Sequence, residues 1–290
     1  MQAVKATGLG KIYHGGVRGL TDFTLSVDAG QVFGLLGPNG AGKTTAVRLL
    51  NGTLEPSEGG AEVFGNPASH IETKRQTATL AEMAKLYENM SAVQNLEFFA
   101  AMYDVDRAHL RSRIHELLHS MGLKGREDDK IGTFSTGMKK RVQLARTLLH
   151  QPKLIFLDEP TSGLDPDAAK QVTQLIRNLA QDEGTTVILC THNLPMAETV
   201  CDTYGFLADG RLVASGSKSM LRKEAGRQLS IRVVTDAGSV PIDIESEDEI
   251  NAHLRRIMDS GAKIHEVRKN DPDLESLYFS YVGRNTDELA

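Results

Sequence analysis

Three short apolar runs stand out along the chain, at 31–36, 154–157 and 185–190, each bounded by glycine or polar residues. Continuous runs of this length without alternation read as strands buried on both faces. Helical periodicity lies between them. Residues 46–50 look helical and follow the first run almost directly. Over 88–122 the apolar positions recur at three- and four-residue steps (Leu96, Phe99, Met102, then Leu110, Ile114, Leu117, Leu118), which predicts mainly helix. Residues 137–149, with a basic start in Lys139, Lys140 and Arg141, and residues 168–180 complete the helical set. Strands that alternate with helices predict an α/β fold with a largely parallel sheet covered on both faces. Residues 4–32 read as short strands with turns at Thr21-Asp22 and Asp28-Ala29-Gly30, and 206–213 as a hairpin turning at Ala208-Asp209-Gly210. After about Lys218 the texture changes. Strand-like 229–234, helical 246–259, strand-like 263–267 and helical 274–282 predict a small α+β appendage over 225–290.

Composition narrows the class without naming it. The 290 residues leave room for one large domain or one large and one small, with 40% hydrophobic and 24% charged residues, as in an ordinary globular protein. A net charge of −5 gives no global pull toward nucleic acid, so no nucleic-acid partner is expected. No apolar run approaches the roughly 18–20 residues that span a bilayer, and 1–10 lacks a basic-then-apolar leader pattern. The expected location is the cytoplasm. Cys190 and Cys201 form no C-x-x-C pair and are expected to be buried free thiols.

The chemistry starts at Gly37-Pro38-Asn39-Gly40-Ala41-Gly42-Lys43-Thr44, which fits G-x-x-x-x-G-K-[ST] at every fixed position, between a strand and a helix. Glycines let successive backbone amides turn toward one anion, and the helix that begins here adds its positive dipole end. Lys43 then reaches the β- and γ-phosphates of a nucleotide, and the Thr44 hydroxyl ligates Mg²⁺. Thr45 follows as the next residue of the cradle. ATP and Mg²⁺ are the expected ligands.

A second carboxylate for that metal belongs at the tip of a neighbouring strand. Leu154-Ile155-Phe156-Leu157-Asp158-Glu159 supplies one, with acids at the carboxyl end where parallel sheets bind ligands. Asp158 would hold Mg²⁺ through water, and Glu159 would polarise the attacking water. Taken alone, the same pattern is a solvated strand end; beside an intact phosphate loop it is a metal and water site. His192 ends the third apolar run, where an imidazole would reach the γ-phosphate or serve only the local structure.

These residues resemble the ATP-binding subunit of ABC transporters over about 1–220. Phe134-Ser135-Thr136-Gly137-Met138 looks like that family's signature loop. Leu157-Asp158-Glu159-Pro160-Thr161-Ser162-Gly163-Leu164-Asp165-Pro166 matches its joined Walker B and D-loop, and His192 falls at its switch histidine. The resemblance implies a P-loop NTPase fold with a RecA-like, mostly parallel sheet, an antiparallel β-subdomain and an α-helical subdomain at about 83–150. It also implies a head-to-tail dimer of two copies. Each ATP would be sandwiched between one copy's phosphate loop and Ser135 and Gly137 of the other, with Asp165 touching the opposite loop. Ser135 alone would be a helix N-cap, a role it can keep. Tyr13 sits where the family stacks an aromatic on adenine; the alternative is a packing tyrosine.

The match has departures. Phe134, Thr136 and Met138 replace the usual signature residues. In the Q-loop segment, Thr79-Leu80-Ala81-Glu82, Glu82 stands in the place of the glutamine, as a metal-facing carboxylate; Gln76 is the lesser candidate. With the C-terminal Asp273-Leu274-Glu275-Ser276-Leu277-Tyr278-Phe279, these variants resemble the branch that serves separate ABC-2-type membrane subunits, including bacterial drug, antibiotic and polysaccharide exporters. The implied function is an ATPase that powers transport, in the export direction, through an integral membrane permease. The protein would sit on the inner face of the membrane, with the groove around 82–94 carrying the signal. Two other functions fit the motifs: a non-transport ABC ATPase, and a weakly hydrolysing regulatory subunit.

Overall fold

β1 (Gln2–Ile12) and β2 (Arg18–Asp28) are long antiparallel partners whose buried positions run Val4, Ala6, Leu9 and Leu20, Phe23, Leu25, Val27. The step from Leu20 to Phe23 breaks the two-residue period. Its cause is a bulge: Leu9 pairs with Phe23 and Lys11 with Leu20, so β2 carries an extra residue there, at Asp22 with left-handed backbone (φ 48°), beside a separate bulge on β1 at Gly8 (φ 56°). Thr21-Asp22 is therefore a kink inside one strand and not the turn its composition suggests. The computed structural model describes residues 1–81, 85–103, 105, 107–227, 229–236, 238–244 and 248–287.

β3 (Val32–Leu36) is buried at all five positions and leads through the phosphate loop into α1 (Lys43–Leu50). β4 (Glu58–Val63) and β5 (Asn66–Pro67) extend the first sheet to the order β2-β1-β4-β5. Leu9, Phe23 and Val63 of that sheet share one core with α1, Phe33, Phe156 and Ile188, so the antiparallel sheet and the central sheet clamp α1 between them. α2 (Ile71–Gln76) then delivers β6 (Thr77–Leu80).

The helical stretch expected over 88–122 is two helices. α3 (Ala92–Ala100) opens with a reciprocal cap between Ser91 and Gln94, and α4 (Arg107–Ser120) follows. α5 (Thr136–Thr147) packs against both, burying Leu96, Ile114, Leu117, Leu118, Val142 and Leu144. The chain then alternates as its pattern requires: β7 (Leu154–Asp158), α6 (Pro166–Gln181), β8 (Thr186–Thr191), α7 (Leu194–Val200), β9 (Thr203–Ala208) and β10 (Arg211–Gly216). The central sheet has the order β10-β9-β3-β8-β7-β6, with β9, β3, β8, β7 and β6 parallel. β9 and β10 are joined by Asp209 (φ 48°) and Gly210 (φ 74°), the paired left-handed residues of a tight hairpin.

The chain divides into two compact units, Met1–Ser215 and Gly216–Ala290. The second contains α8 (Lys218–Glu224), β11 (Leu229–Thr235), β12 (Gly238–Ile244), α9 (Glu249–Asp259), β13 (Ile264–Asn270) and α10 (Leu274–Asp287). Its sheet runs β12-β11-β13 around a core of Leu229, Ile231, Val233 and Ile244, against which Ile250, Leu254 and Ile257 of α9 pack. β12 is weakly patterned and carries Pro241, which the sheet tolerates because that strand lies at an edge.

Asp271, just after β13, is the main polar tie of this unit. Its carboxylate accepts from Lys218 Nζ at 2.9 Å and Arg222 at 3.3 Å, with Lys269 Nζ at 3.6 Å. Burial works to raise its pKa, but the hydrogen bond and charge of Lys218, then Lys269 and Arg222, outweigh it and hold the carboxyl below its ordinary value. A carboxyl depressed in the folded state stabilises above its unfolded pKa and loses that contribution as pH falls through the folded value. Asp271→Asn is expected to cost about 1–2 kcal/mol at pH 7 in urea unfolding. The gap from wild type should close in acid, below the ordinary aspartate range; a gap that is the same at both pH values contradicts the assignment.

Candidate functional site

β3, β8 and β7 are adjacent and parallel, so the phosphate loop, Thr191-His192 and Asp158-Glu159 leave the sheet at one edge. The loop approaches other backbone closely. A Cβ on Gly37 would lie 2.3 Å from the Leu207 carbonyl oxygen, and one on Gly42 (φ 104°) would lie 2.6 Å from that of Gly19. The β9–β10 turn stitches it down: the Gly210 amide donates to the Ala41 carbonyl at 3.0 Å, and the Thr21 amide to that of Gly210 at 2.7 Å. Lys43 is buried and folds back across the loop, its Nζ donating to the carbonyls of Gly37 (2.6 Å) and Pro38 (3.0 Å). Gly42 precedes the first turn of α1, whose amides face the loop.

Asn39, Gly40, Gly42, Lys43, Thr44, Thr45, Asp158 and Glu159 line one cleft of about 190 Å³. Within it Thr44 Oγ1 donates to Asp158 Oδ2 at 3.2 Å. A hydroxyl and a carboxylate side by side at the mouth of a phosphate loop are the hard oxygen donors that Mg²⁺ takes, so these residues fit that ion.

Glu159 has left-handed backbone (φ 45°), unusual for a side chain of its kind and a cost of about 1–3 kcal/mol. Its carboxylate is held on three sides. Thr191 Oγ1 donates to Oε2 at 2.8 Å, the His192 amide to Oε1 at 2.9 Å, and His192 Nδ1 lies 2.6 Å from Oε1. Glu159 is buried while the His192 ring is mostly exposed. Thr191 is a site residue that the motifs do not reveal. It is fully buried, and its hydroxyl also accepts from the Asn193 amide at 3.0 Å, so it fixes the carboxylate from behind. The only sequence signal for it is its place between a buried strand and His192.

The other expected site residues are arranged differently. Tyr13 shares a hydrogen bond with Thr45 Oγ1 at 3.1 Å, and its ring fills the space a side chain at Gly19 would take, with Cε2 2.5 Å from that Cβ position. Ser135, Gly137 and Asp165 do not line the cleft. Ser135 caps α5 by accepting from the Met138 amide at 3.2 Å, Asp165 caps α6 by accepting from that of Ala168 at 2.8 Å, and a Cβ at Gly137 would press to 3.2 Å on Ala168. Gln76 ends α2 at the amino end of β6, opposite the edge carrying the loop, and donates to the Glu72 carbonyl. Glu82 lies outside the described residues. Cys190 and Cys201 are buried free thiols, both pushed up by burial first and then by neighbouring acids.

A strand–loop–helix phosphate cradle on a parallel sheet, with two acids at the next strand tip but one, defines a P-loop ATPase fold. A family model described as ABC transporter matches residues 20–162. Over 273 residues the chain is 36% identical to the daunorubicin/doxorubicin resistance ATP-binding protein DrrA of Streptomyces peucetius, covering 93% of this chain and 79% of that one. It is 30% identical over 305 residues to the bacitracin transport ATP-binding protein BcrA of Bacillus licheniformis, covering 98% of each. Among solved structures, one titled as the ATP-binding subunit of an ABC transporter shares 31% identity and superposes with a TM-score of 0.70, over 77% of this chain and 93% of that one. The chain belongs to the family of ABC transporter ATP-binding subunits, which are ATPases. No described helix is long and apolar enough to cross a membrane.

The close approach at Gly42 yields a test. Gly42→Ala forces a Cβ into backbone at a left-handed φ. It is expected to cost about 2–3 kcal/mol of stability or to displace the loop, and to weaken ATP binding measured with a fluorescent nucleotide. Wild-type ATP affinity at wild-type stability contradicts the geometry.

Proposed function

We propose that the chain drives the export of a small molecule through a separate membrane permease, by closing and reopening a head-to-tail dimer around two MgATP. The observation that carries this reading is the division of the site. The cleft holds everything for one face of the triphosphate, while Ser135 and Asp165 cap helices outside it. A second copy, turned head to tail, brings those caps to the open side of the nucleotide.

In the proposed reaction the loop amides and Lys43 bind the β- and γ-phosphates. Lys43 exchanges the Gly37 and Pro38 carbonyls for phosphate oxygens, so a buried cation changes partners without being left bare. Thr44 and Asp158 would hold Mg²⁺, which supplies charge neutralisation to the phosphates when bound. Glu159 orients a water for in-line attack on the γ-phosphorus and accepts its proton as the bond to the ADP oxygen breaks. Thr191 and the His192 amide keep that carboxylate aimed, and the far ring nitrogen of His192 faces the phosphate. Tyr13 offers its ring to the adenine beside Thr45.

The permease would dock on the helical part. Tyr87 is fixed by Asn95, which accepts from its amide at 2.8 Å and donates to its carbonyl at 3.0 Å. Arg146 covers Phe99 at 4.5 Å and donates to the Lys85 carbonyl. Tyr87, Phe98, Met102 and Tyr103 stay exposed around this anchored segment, an apolar face suited to a membrane subunit's cytoplasmic helix. The relatives' names, drug resistance and bacitracin transport, support export of a drug-like cargo.

Two measurements test the proposal. Glu159→Gln is expected to lower phosphate release by about 10²-fold or more and to accumulate an ATP-dependent dimer on size exclusion. Wild-type chain that releases no phosphate, even with its permease, removes the hydrolase reading. Met102→Glu is expected to keep ATP binding and lose co-purification of the permease; retained co-purification places the docking face elsewhere.

A further inference from the structure

α4 carries His115-Glu116-Leu117-Leu118-His119, two histidines four residues apart and therefore on one face of the helix. The opposite face supplies Ile114, Leu117 and Leu118 to the core, so both imidazoles point outward. Glu127, from the loop that follows, meets them there: His119 Nε2 lies 2.7 Å from Glu127 Oε1. One ligand atom from each of His115, His119 and Glu127 lies within 4.8 Å of the others.

The acid is placed by the backbone, not by chance. Gly122 (φ 68°) and Gly125 (φ 80°) turn the chain back, with the Gly122 amide bonded to the His119 carbonyl and that of Leu123 to the Leu118 carbonyl, each at 2.9 Å. The Val93 amide then fastens the Glu127 carbonyl at 3.1 Å. The loop that carries the carboxylate is thus held by a group outside the cluster, as supporting shells of metal ligands are.

We propose that His115, His119 and Glu127 bind one divalent transition-metal ion of the zinc class, clipping the last turn of α4 to the loop at 121–129. Two imidazoles and one carboxylate suit zinc, cobalt or nickel, and suit Mg²⁺ or Ca²⁺ poorly. Ligand atoms around a tetrahedral zinc stand roughly 3.3 Å apart, from bond lengths of about 2.0–2.2 Å. Turning the exposed His115 ring closes the remaining distance. The ion would take the place of the hydrogen bond between His119 Nε2 and Glu127 Oε1. Glu116 is not a ligand: it accepts from Ser112 at 3.2 Å and faces Arg113 at 4.0 Å. Glu116 is thus engaged away from a metal-bound water, and the site is read as one for binding, not hydrolysis. The clipped loop runs on through Asp129, whose carbonyl takes the Ala92 amide, to Ser135 at the start of α5. A bound ion stiffens the approach to the signature helix.

The test uses the full chain, stripped of metal and held in excess Mg²⁺ so that the oxygen donors of the nucleotide site are saturated. Both thiols are buried and do not compete. Titration calorimetry with zinc chloride is expected to show one ion per chain and a raised melting temperature. His115→Ala and Glu127→Gln are each expected to weaken binding about tenfold or more and to abolish the rise in melting temperature, with circular dichroism unchanged. His109→Ala, exposed on the same helix outside the cluster, should bind as wild type. Absence of zinc binding overturns the proposal. So does wild-type affinity in His115→Ala, or a loss in His109→Ala equal to that in His115→Ala.

Discussion

The parallel register of β3, β8 and β7 is the constraint on which the rest of the molecule depends. Leu36 stands opposite Thr191, and Asp158 opposite Cys190, so three chain segments leave the sheet side by side. A slip of one residue in β7 would turn Asp158 to the other face and take its carboxylate from Thr44. The strands resist such a slip because their side chains are buried on both faces. The left-handed backbone at Glu159 follows from the same register. The chain must turn directly after Asp158 to bring the next acid back over β8, where Thr191 and His192 hold it. The hydrogen bonds they make offset the conformational cost.

The phosphate loop works under a second constraint, the lack of room. Its neighbours are backbone carbonyls, at Leu207 and Gly19, and carbonyls cannot give way as a flexible side chain would. The glycines at 37 and 42 are therefore set by packing as well as by the anion they receive. Lys43 follows the same logic. An ammonium this buried needs partners in every state of the protein, and the loop's own carbonyls provide them before any phosphate does. These carbonyl contacts hold the loop in shape, which lowers the entropy that nucleotide binding must overcome.

The parts of this arrangement that can be read from sequence are those whose physics is local. Gly37 to Thr44 carries its own spacing, and Asp158-Glu159 and His192 end apolar runs that only buried parallel strands explain. What escapes is set by partners distant in the chain. Asp22 has the composition of a turn, yet the pairing of Leu9 with Phe23 and of Lys11 with Leu20 makes it a bulge. β12 shows little alternation and contains a proline, and only its position at a sheet edge makes it a strand. Thr191 looks like any strand threonine until Glu159, 32 positions earlier, is seen to rest on its hydroxyl. Glu127 has no motif of its own, because two glycine turns and the Val93 amide bring it to His119. The role of Glu82 rests only on the resemblance to the family's Q-loop, because that residue lies outside the described residues, two positions after β6 ends at Leu80.

The two caps outside the cleft leave atoms that the proposed dimer would use. A serine hydroxyl has one donor and two acceptor positions. Ser135 accepts from the Met138 amide, and in the proposed dimer its O–H would donate to an oxygen of the other chain's nucleotide. Asp165 gives Oδ1 to Ala168 and retains a second carboxylate oxygen. In the proposed dimer neither residue has to leave its helix to meet the opposing phosphate loop. Gly137 lets α5 sit close on Ala168. The caps hold these donors in place before the second copy arrives. In the proposed dimer the order they impose is a cost of folding and not of association, so that few residues would suffice to complete the nucleotide site.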